Sequence, residues 1–372
     1  MTRFHCAHRA GGSWQELARG CARELGSGEA NLAFLYATEP LAGDLGAIES
    51  FLRKNTGIPY WVGAVGPGIC ATGREYFDTP AISVLACALP ADSFRVLPST
   101  TEATVDSLGD LASWIAEKQP AIGLVHADPS NPKVVSLIPT LARATGCFLV
   151  GALTSGAHPE AQLAGQPTGG GISGLLLGGA VAVATGLTQG CSPIGPWHEV
   201  SEADRNVLIS LDERPALEVF HEDIGPELAA DPRRVAGHVH AALPVAGSDT
   251  GDYLVRNLVG IDPAQGWVAA ATHFNTGDRV MFVRRDPASA AADMDRMLER
   301  LRERAGARPR AGVYFSCVAR GPNQFGPDSA ELMRIRDRLG DFPLAGFFGN
   351  GEISHDRLYT YTGVLTLFTG EE

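Results

Sequence analysis

Nowhere in these 372 residues do two cysteines form a Cys-x-x-Cys pair, and the seven present, at 6, 21, 70, 87, 147, 191 and 317, are odd in number. That spacing excludes a zinc finger and a disulfide framework, and reads as a reduced, cytoplasmic chain. Also missing are a His-x-x-x-His pair, a Walker loop, a Gly-x-Ser-x-Gly elbow, and a Gly-x-Gly-x-x-Gly that opens a helix after a strand. Their absence removes the usual zinc-protease, nucleotide-binding and serine-hydrolase readings. Positive charge is scarce and scattered: 30 Lys and Arg stand against 42 Asp and Glu, net −12. Such a field excludes nucleic acid and anionic membrane as partners. The first ten residues hold Arg3, His5, His8 and Arg9 with no apolar run, so no signal peptide is expected.

Between Glu160 and Glu199 there is no Asp, Glu, Lys or Arg, and Ile172 to Leu187 is apolar nearly throughout. The run imitates a membrane span, but Gly178-Gly179 interrupts it, so it is expected to form two buried strands joined by a tight hairpin. The apolar fraction, 45%, is that of a globular protein, and the length calls for two domains.

What is present is a recurring unit. Asn31–Ala37 reads as a buried strand, 41–54 as a helix, and 59–65 as a strand running into Gly66 and Gly68; Ala81–Leu89 is a further strand. Strand 122–126, helix 132–144, strand 147–152 and strand 172–177 repeat the order. Strand 312–318, helix 328–339, strand 342–348 and strand 361–368 repeat it again. The fold class expected is α/β to α+β: two domains of mixed β-sheets flanked by helices, built from duplicated strand-helix-strand-turn-strand units. Between the second and third copies the pattern changes. Strands are expected at 206–211 and 253–261, a hairpin joins 266–274 to 279–284, and a charged helix covers 287–304. The domain boundary is placed at 212/213, giving domains 1–212 and 213–372.

Candidate chemistry gathers at the ends of the last copy's strands. The run Ala345 to His355 enters Gly349-Asn350-Gly351, a strong turn signal at which the chain is expected to reverse, and sets Phe348, Asn350, Glu352 and His355 at one sheet edge. Ser316, Cys317 and Arg320 end the neighbouring strand and are expected at the same edge, with Arg320 able to clamp a carboxylate or phosphate. Cys191, in the rigid loop Gln189-Gly-Cys-Ser-Pro-Ile-Gly195, makes a third candidate, with His198 nearby in sequence as a base.

The loop at 189–195, the segment 206–220 that includes Asp-Glu-Arg-Pro-Ala-Leu-Glu-Val-Phe, and Gly-Phe-Phe-Gly-Asn-Gly-Glu-Ile at 346–353 resemble the FIST sensory proteins, with an N-terminal and a C-terminal FIST domain. The resemblance implies a bacterial signal-input module for small ligands, amino acids in the usual proposal, with some relatives binding haem and responding to nitric oxide. The expectation is a stand-alone cytoplasmic sensor of an amino acid or small carboxylate that reports to a separate signalling partner, with no catalytic residues and no resident cofactor. The alternatives are a haem sensor, with His273 or Cys317 as the axial ligand, and a cysteine-dependent enzyme.

Overall fold

The computed structural model describes residues 3–102, 108–156, 158–229, 235, 237–245, 253–306 and 308–370. It divides into two compact units, Gln189–Ala292 and the remainder, Met1–Thr188 with Asp293–Glu372.

The larger unit contains three copies of one motif. The first comprises β1 (Phe4–Ala10), α1 (Trp14–Leu25), β2 (Leu32–Thr38), α2 (Leu45–Thr56), β3 (Tyr60–Gly66), the hairpin β4 (Gly68–Ala71) and β5 (Arg74–Phe77), and β6 (Ala81–Cys87). The second comprises β7 (Phe94–Thr100), α3 (Asp110–Lys118), β8 (Ile122–Ala127), α4 (Val134–Thr145), β9 (Phe148–Leu153), the hairpin β10 (Gln162–Ala164) and β11 (Pro167–Thr168), and β12 (Ile172–Leu177). The third begins with β13 (Val183–Gln189) and is then interrupted by the smaller unit.

That insert contains β14 (Cys191–Pro193), β15 (His198–Asp204), β16 (Val207–Leu211), β17 (Arg214–Pro215), α5 (Ala216–Ile224), α6 (Pro226–Ala229), β18 (Val239–Pro244), β19 (Tyr253–Asp262), β20 (Trp267–Ala270) and β21 (Arg279–Arg285). Strands β21, β15, β16, β20, β19 and β18 pair in that order, and β18 pairs back to β21, closing an antiparallel ring. Phe220 and Ile224 of α5 pack with Val268, Val280 and Phe282 in its core. The third copy then resumes with α7 (Pro287–Ala305), β22 (Ala311–Cys317), α8 (Ala330–Leu339), β23 (Leu344–Gly349), the hairpin β24 (Glu352–His355) and β25 (Arg357–Tyr359), and β26 (Thr362–Phe368).

Each copy builds a sheet on a parallel pair, β2 with β3, β8 with β9 and β22 with β23, but gives its hairpin away. β4 pairs with β23, β10 with β3, and β24 with β9, so every sheet is completed by another copy's hairpin. The inner faces of all three sheets share one core, to which Leu32, Leu124 and Val313 contribute. The outer faces are covered copy by copy, by α1 and α2, by α3 and α4, and by α7 and α8.

Three expectations are corrected. β12 and β13 do not pair: β12 lies between β7 and β8, so its edges are occupied and the chain passes through Gly178-Gly179 to another sheet. Gly349 to Gly351 likewise make a crossing between sheets instead of a reversal; a Cβ on Gly349 would stand 2.7 Å from Ala152 Cβ, which explains the glycine. Segment 275–278 is a turn, with Asn275 N donating to Asp278 Oδ2 at 2.7 Å, but β20 and β21 take other neighbours in the closed ring. The compact units are not consecutive stretches of the chain, because the barrel is inserted inside the third copy.

Thr188 Oγ1, before the insert, donates to Asp293 Oδ2, after it, at 2.9 Å, so the chain leaves and re-enters at one point. In the first copy the corresponding link from β1 to α1 is only Gly11 to Ser13. Replacing 189–292 by Gly-Ser-Gly should therefore leave a three-copy unit that unfolds cooperatively in a thermal melt followed by circular dichroism. Loss of a cooperative transition would show that the insert is needed for folding.

Candidate functional site

The paired strands allow the three copies to be compared position by position. In the first, Ser83, Tyr36, Ala64 and Gln162 lie opposite one another across the sheet. In the second the row is Ser173, His126, Ala152 and Glu352. In the third it is Val364, Phe315, Phe347 and Ile69. Tyr36, His126 and Phe315 hold equivalent places and meet in the shared core: Tyr36 Oη lies 3.2 Å from His126 Nε2, and Phe315 stands edge-on to both rings. Burial pulls the His126 imidazole down to about 3, so it is neutral.

Ile69, Gln162 and Glu352 are likewise equivalent, one from each hairpin. Gln162 is fully engaged: its Nε2 donates to the carbonyls of His126 and Gly171, both at 3.0 Å, and its Oε1 accepts from Ser173 Oγ at 3.2 Å. Glu352 is not. Its Oε2 accepts from Thr362 Oγ1 at 2.7 Å and Thr362 N at 3.2 Å, while Oε1, fully buried, has no hydrogen-bond partner among the described residues. Burial raises this carboxyl to about 8, against the opposing pull of Thr362 and the Arg320 guanidinium. Cys317, at the end of β22, is its electrostatic neighbour: burial first and the Glu352 charge second push the thiol up to about 12.

The other sequence candidates separate from this pair. Ser316 and Cys317 alternate on β22 and so face opposite sides of the sheet. Ser316 donates to Glu331 Oε1 at 3.0 Å on the α8 side, beside Tyr314 Oη at 2.7 Å. Arg320 is fully buried and donates through Nε to the same oxygen at 2.8 Å, with its guanidinium 4.8 Å from the centre of the Phe325 ring. Gly321 N completes the cage on Glu331 Oε2 at 2.8 Å. Arg320 therefore holds a buried ion pair through Nε, while its Nη1 has no hydrogen-bond partner among the described residues, and its charge reaches Glu352 and Cys317. Glu75, from the first copy's hairpin, accepts from Leu332 N at 3.2 Å near the start of α8. Burial, then the Glu331 charge, raises it to about 7.

Phe348 faces outward against Phe77 with ring centres 4.5 Å apart; Phe347 takes the inward place. Asn350 is exposed and donates to the Thr154 carbonyl at 3.4 Å. His355 is exposed too, stacked on Phe148 and paired with Asp356 at 3.2 Å, so the single mouth expected for Asn350, Glu352 and His355 does not form. Sequence reading missed Glu331, Thr362 and His126. A buried arginine needs an acid, and Glu331 in the next helix was the available signal; Thr362 carried none.

Cys191 belongs to the other unit, where its carbonyl accepts from Tyr253 Oη at 2.7 Å. His198 is not free to act as its base, because Nδ1 lies 2.6 Å from Asp212 Oδ2 and Nε2 2.9 Å from Asp223 Oδ2. Both ring nitrogens must donate, which only the imidazolium can do. Burial lowers its affinity for a proton, but the two carboxylate hydrogen bonds outweigh this and raise it above 6.5.

Haem finds little support in these residues. His273 is exposed on a loop of the inserted unit, and the Cys317 thiol holds its proton where an axial ligand must give it up. The same protonated thiol is an unactivated nucleophile. Among the described residues no group of three or more His, Cys, Asp or Glu is arranged to hold a metal ion.

Two pH dependences follow. The unfolded state releases the Glu352 proton near 4.5 and the folded state near 8, so stability falls as pH rises through this window. Glu352→Gln should remove that loss and raise urea stability at pH 7.5 by about 4 kcal/mol at most, with little change at pH 4.5; an equal effect at both values would contradict a protonated acid. For His198 the sign is the same but the cause opposite: the imidazolium stabilises the fold fully below pH 6.5, and this is lost as pH rises through its higher folded value. Asp223→Asn should destabilise by roughly 1 kcal/mol at pH 6, after solvent screening, and less at pH 9; a pH-independent effect in chemical denaturation would refute the imidazolium.

The FIST N domain family model matches residues 31–214 and the FIST C domain model residues 216–355. An uncharacterized protein of Mycobacterium tuberculosis is 29% identical over 374 residues, covering 95% of each chain. An uncharacterized protein of Mycobacterium bovis is 28% identical over 370 residues, again covering 95% of each. The chain belongs to the FIST family of sensory domains.

Proposed function

We propose that this protein senses a small ligand of the amino acid or small carboxylate class and acts in signal transduction through a separate partner protein. One observation carries the choice of site: Glu352 Oε1 is completely buried and unpartnered beside the Cys317 thiol. An unmet polar atom in a packed interior is costly unless a bound molecule or a conformational step meets it. The equivalent Gln162 has every hydrogen bond satisfied, which supports assigning recognition to the third copy.

Thr362 and Cys317 are the neighbours proposed to share the ligand with Glu352, and Asn350 marks the exposed side from which it enters. Arg320, Ser316, Phe348 and His355 are assigned no direct contact, and neither is Cys191. The Arg320–Glu331 pair acts behind the site, setting the field on Glu352.

Screening amino acids and small carboxylates by thermal shift tests this reading. A ligand at saturating concentration should raise the melting temperature of the native chain by about 2 °C or more. Cys317→Ala or Glu352→Ala should abolish the shift, while His355→Ala should retain it. No stabilisation by any member of the panel at high concentration would overturn the proposal.

A further inference from the structure

We propose that Glu352 meets its ligand as a hydrogen-bond donor, so that the site selects an acceptor, above all a carboxylate oxygen, and turns away an ammonium group. This deepens the sensory reading and rests on it. The two donors of Thr362 both point at Oε2, at 2.7 and 3.2 Å. A proton on Oε2 would face them, so the proton of the neutral acid sits on Oε1, the oxygen left without a partner.

The internal repeats show why that oxygen is open. In the second copy the side chain at this place is closed off by the hydroxyl of Ser173, 3.2 Å from Gln162 Oε1. The equivalent of Ser173 in the third copy is Val364, which has no polar atom: Ser173 lies opposite His126 and Val364 opposite Phe315. Gly171 and Thr362 are equivalent as well, two residues earlier. Gly171 accepts from Gln162 through its carbonyl, whereas Thr362 donates to Glu352. The third copy has thus reversed the hydrogen bond on one side of the carboxyl and removed its partner on the other.

Among the described residues no cation is hydrogen-bonded to Glu352. Arg320, the charge that favours ionisation, donates its Nε to Glu331, and Glu331 itself opposes ionisation; the Arg320 Nη1 is buried without a hydrogen-bond partner but makes no hydrogen bond to Glu352. Glu75 lies beside Glu331, His126 on the same row is neutral, and the Cys317 thiol retains its proton. Loss of the Glu352 proton near pH 8 would place its charge against that of a bound carboxylate.

Sodium propionate and propylammonium chloride, matched in size and opposite in charge, test this on the full chain by isothermal titration at pH 6.5 and 9.0. Propionate should bind the native protein and Glu352→Gln with affinities within about threefold, since the amide keeps a donor at that place. Raising the pH to 9.0 should weaken binding to the native protein about tenfold and leave Glu352→Gln unaffected. Preference for propylammonium, or loss of propionate binding in Glu352→Gln, overturns the donor assignment while leaving a ligand site in place. Binding of neither probe, to native protein or variant, overturns the assignment together with the site.

Discussion

The larger unit depends on an exchange: each of its three sheets is finished by a hairpin from another copy. The first copy's β4 completes the third sheet, the second's β10 the first, and the third's β24 the second. No copy therefore has a complete sheet or a complete core alone, and the inner faces meet in one apolar cluster. Because strand edges and apolar faces are satisfied only when all three copies are present, folding of this unit should be cooperative across residues far apart in sequence. Crossings between sheets, such as Gly349 to Gly351, are where the chain must pass close to foreign backbone, and there glycine is required by space.

A repeated scaffold frees its equivalent positions to diverge. Ile69 keeps its place apolar, Gln162 fills it with a satisfied amide, and Glu352 leaves it with a buried acid whose neutral form is favoured. Three carboxyls in or near the third sheet, the buried Glu331 and Glu352 and the half-buried Glu75, surround one buried arginine. Only Glu331 is caged by four donors, and the two acids around it are raised as a result of burial and of its charge. A sheet needs no such arrangement for stability, since apolar residues of similar volume usually serve as well.

Much of this architecture was readable from residue patterns. Buried strands such as β2, β8 and β22 are continuous apolar runs, and α4 and α8 show helical spacing, so the threefold repeat stood out. Partner choice did not. Gly178-Gly179 and Asn275 to Asp278 carry sound turn signals, yet the strands they join belong to different neighbours, because pairing is decided by which edges remain free. The inserted barrel was missed for the same reason, its strands being short and its closure non-local. Of the proposed site, the strand-end positions of Glu352 and Cys317 were legible. The alternation that sends Ser316 and Phe348 to the opposite face was available in principle, but nothing in the sequence indicated which face held the acid.

Position explains why the third copy suits a sensor. Glu352 is the first residue of β24, which is hydrogen-bonded to β9 in the second sheet but joined to β23 in the third by a short glycine crossing. Leu153 N donates to the Gly351 carbonyl at 2.8 Å and Val318 N to the Gly349 carbonyl at 2.9 Å, so the crossing is tied to both sheets. A ligand bound at Glu352, as proposed, would thus act on two sheets at once, and on the Cys317 end of β22 besides. Signal transmission requires two arrangements whose energies a ligand can reorder. A buried acid with one unmet oxygen, seated at a junction between sheets, supplies a difference of the right kind: its protonation and its pairing both change the field on neighbouring groups that the packed core holds in place.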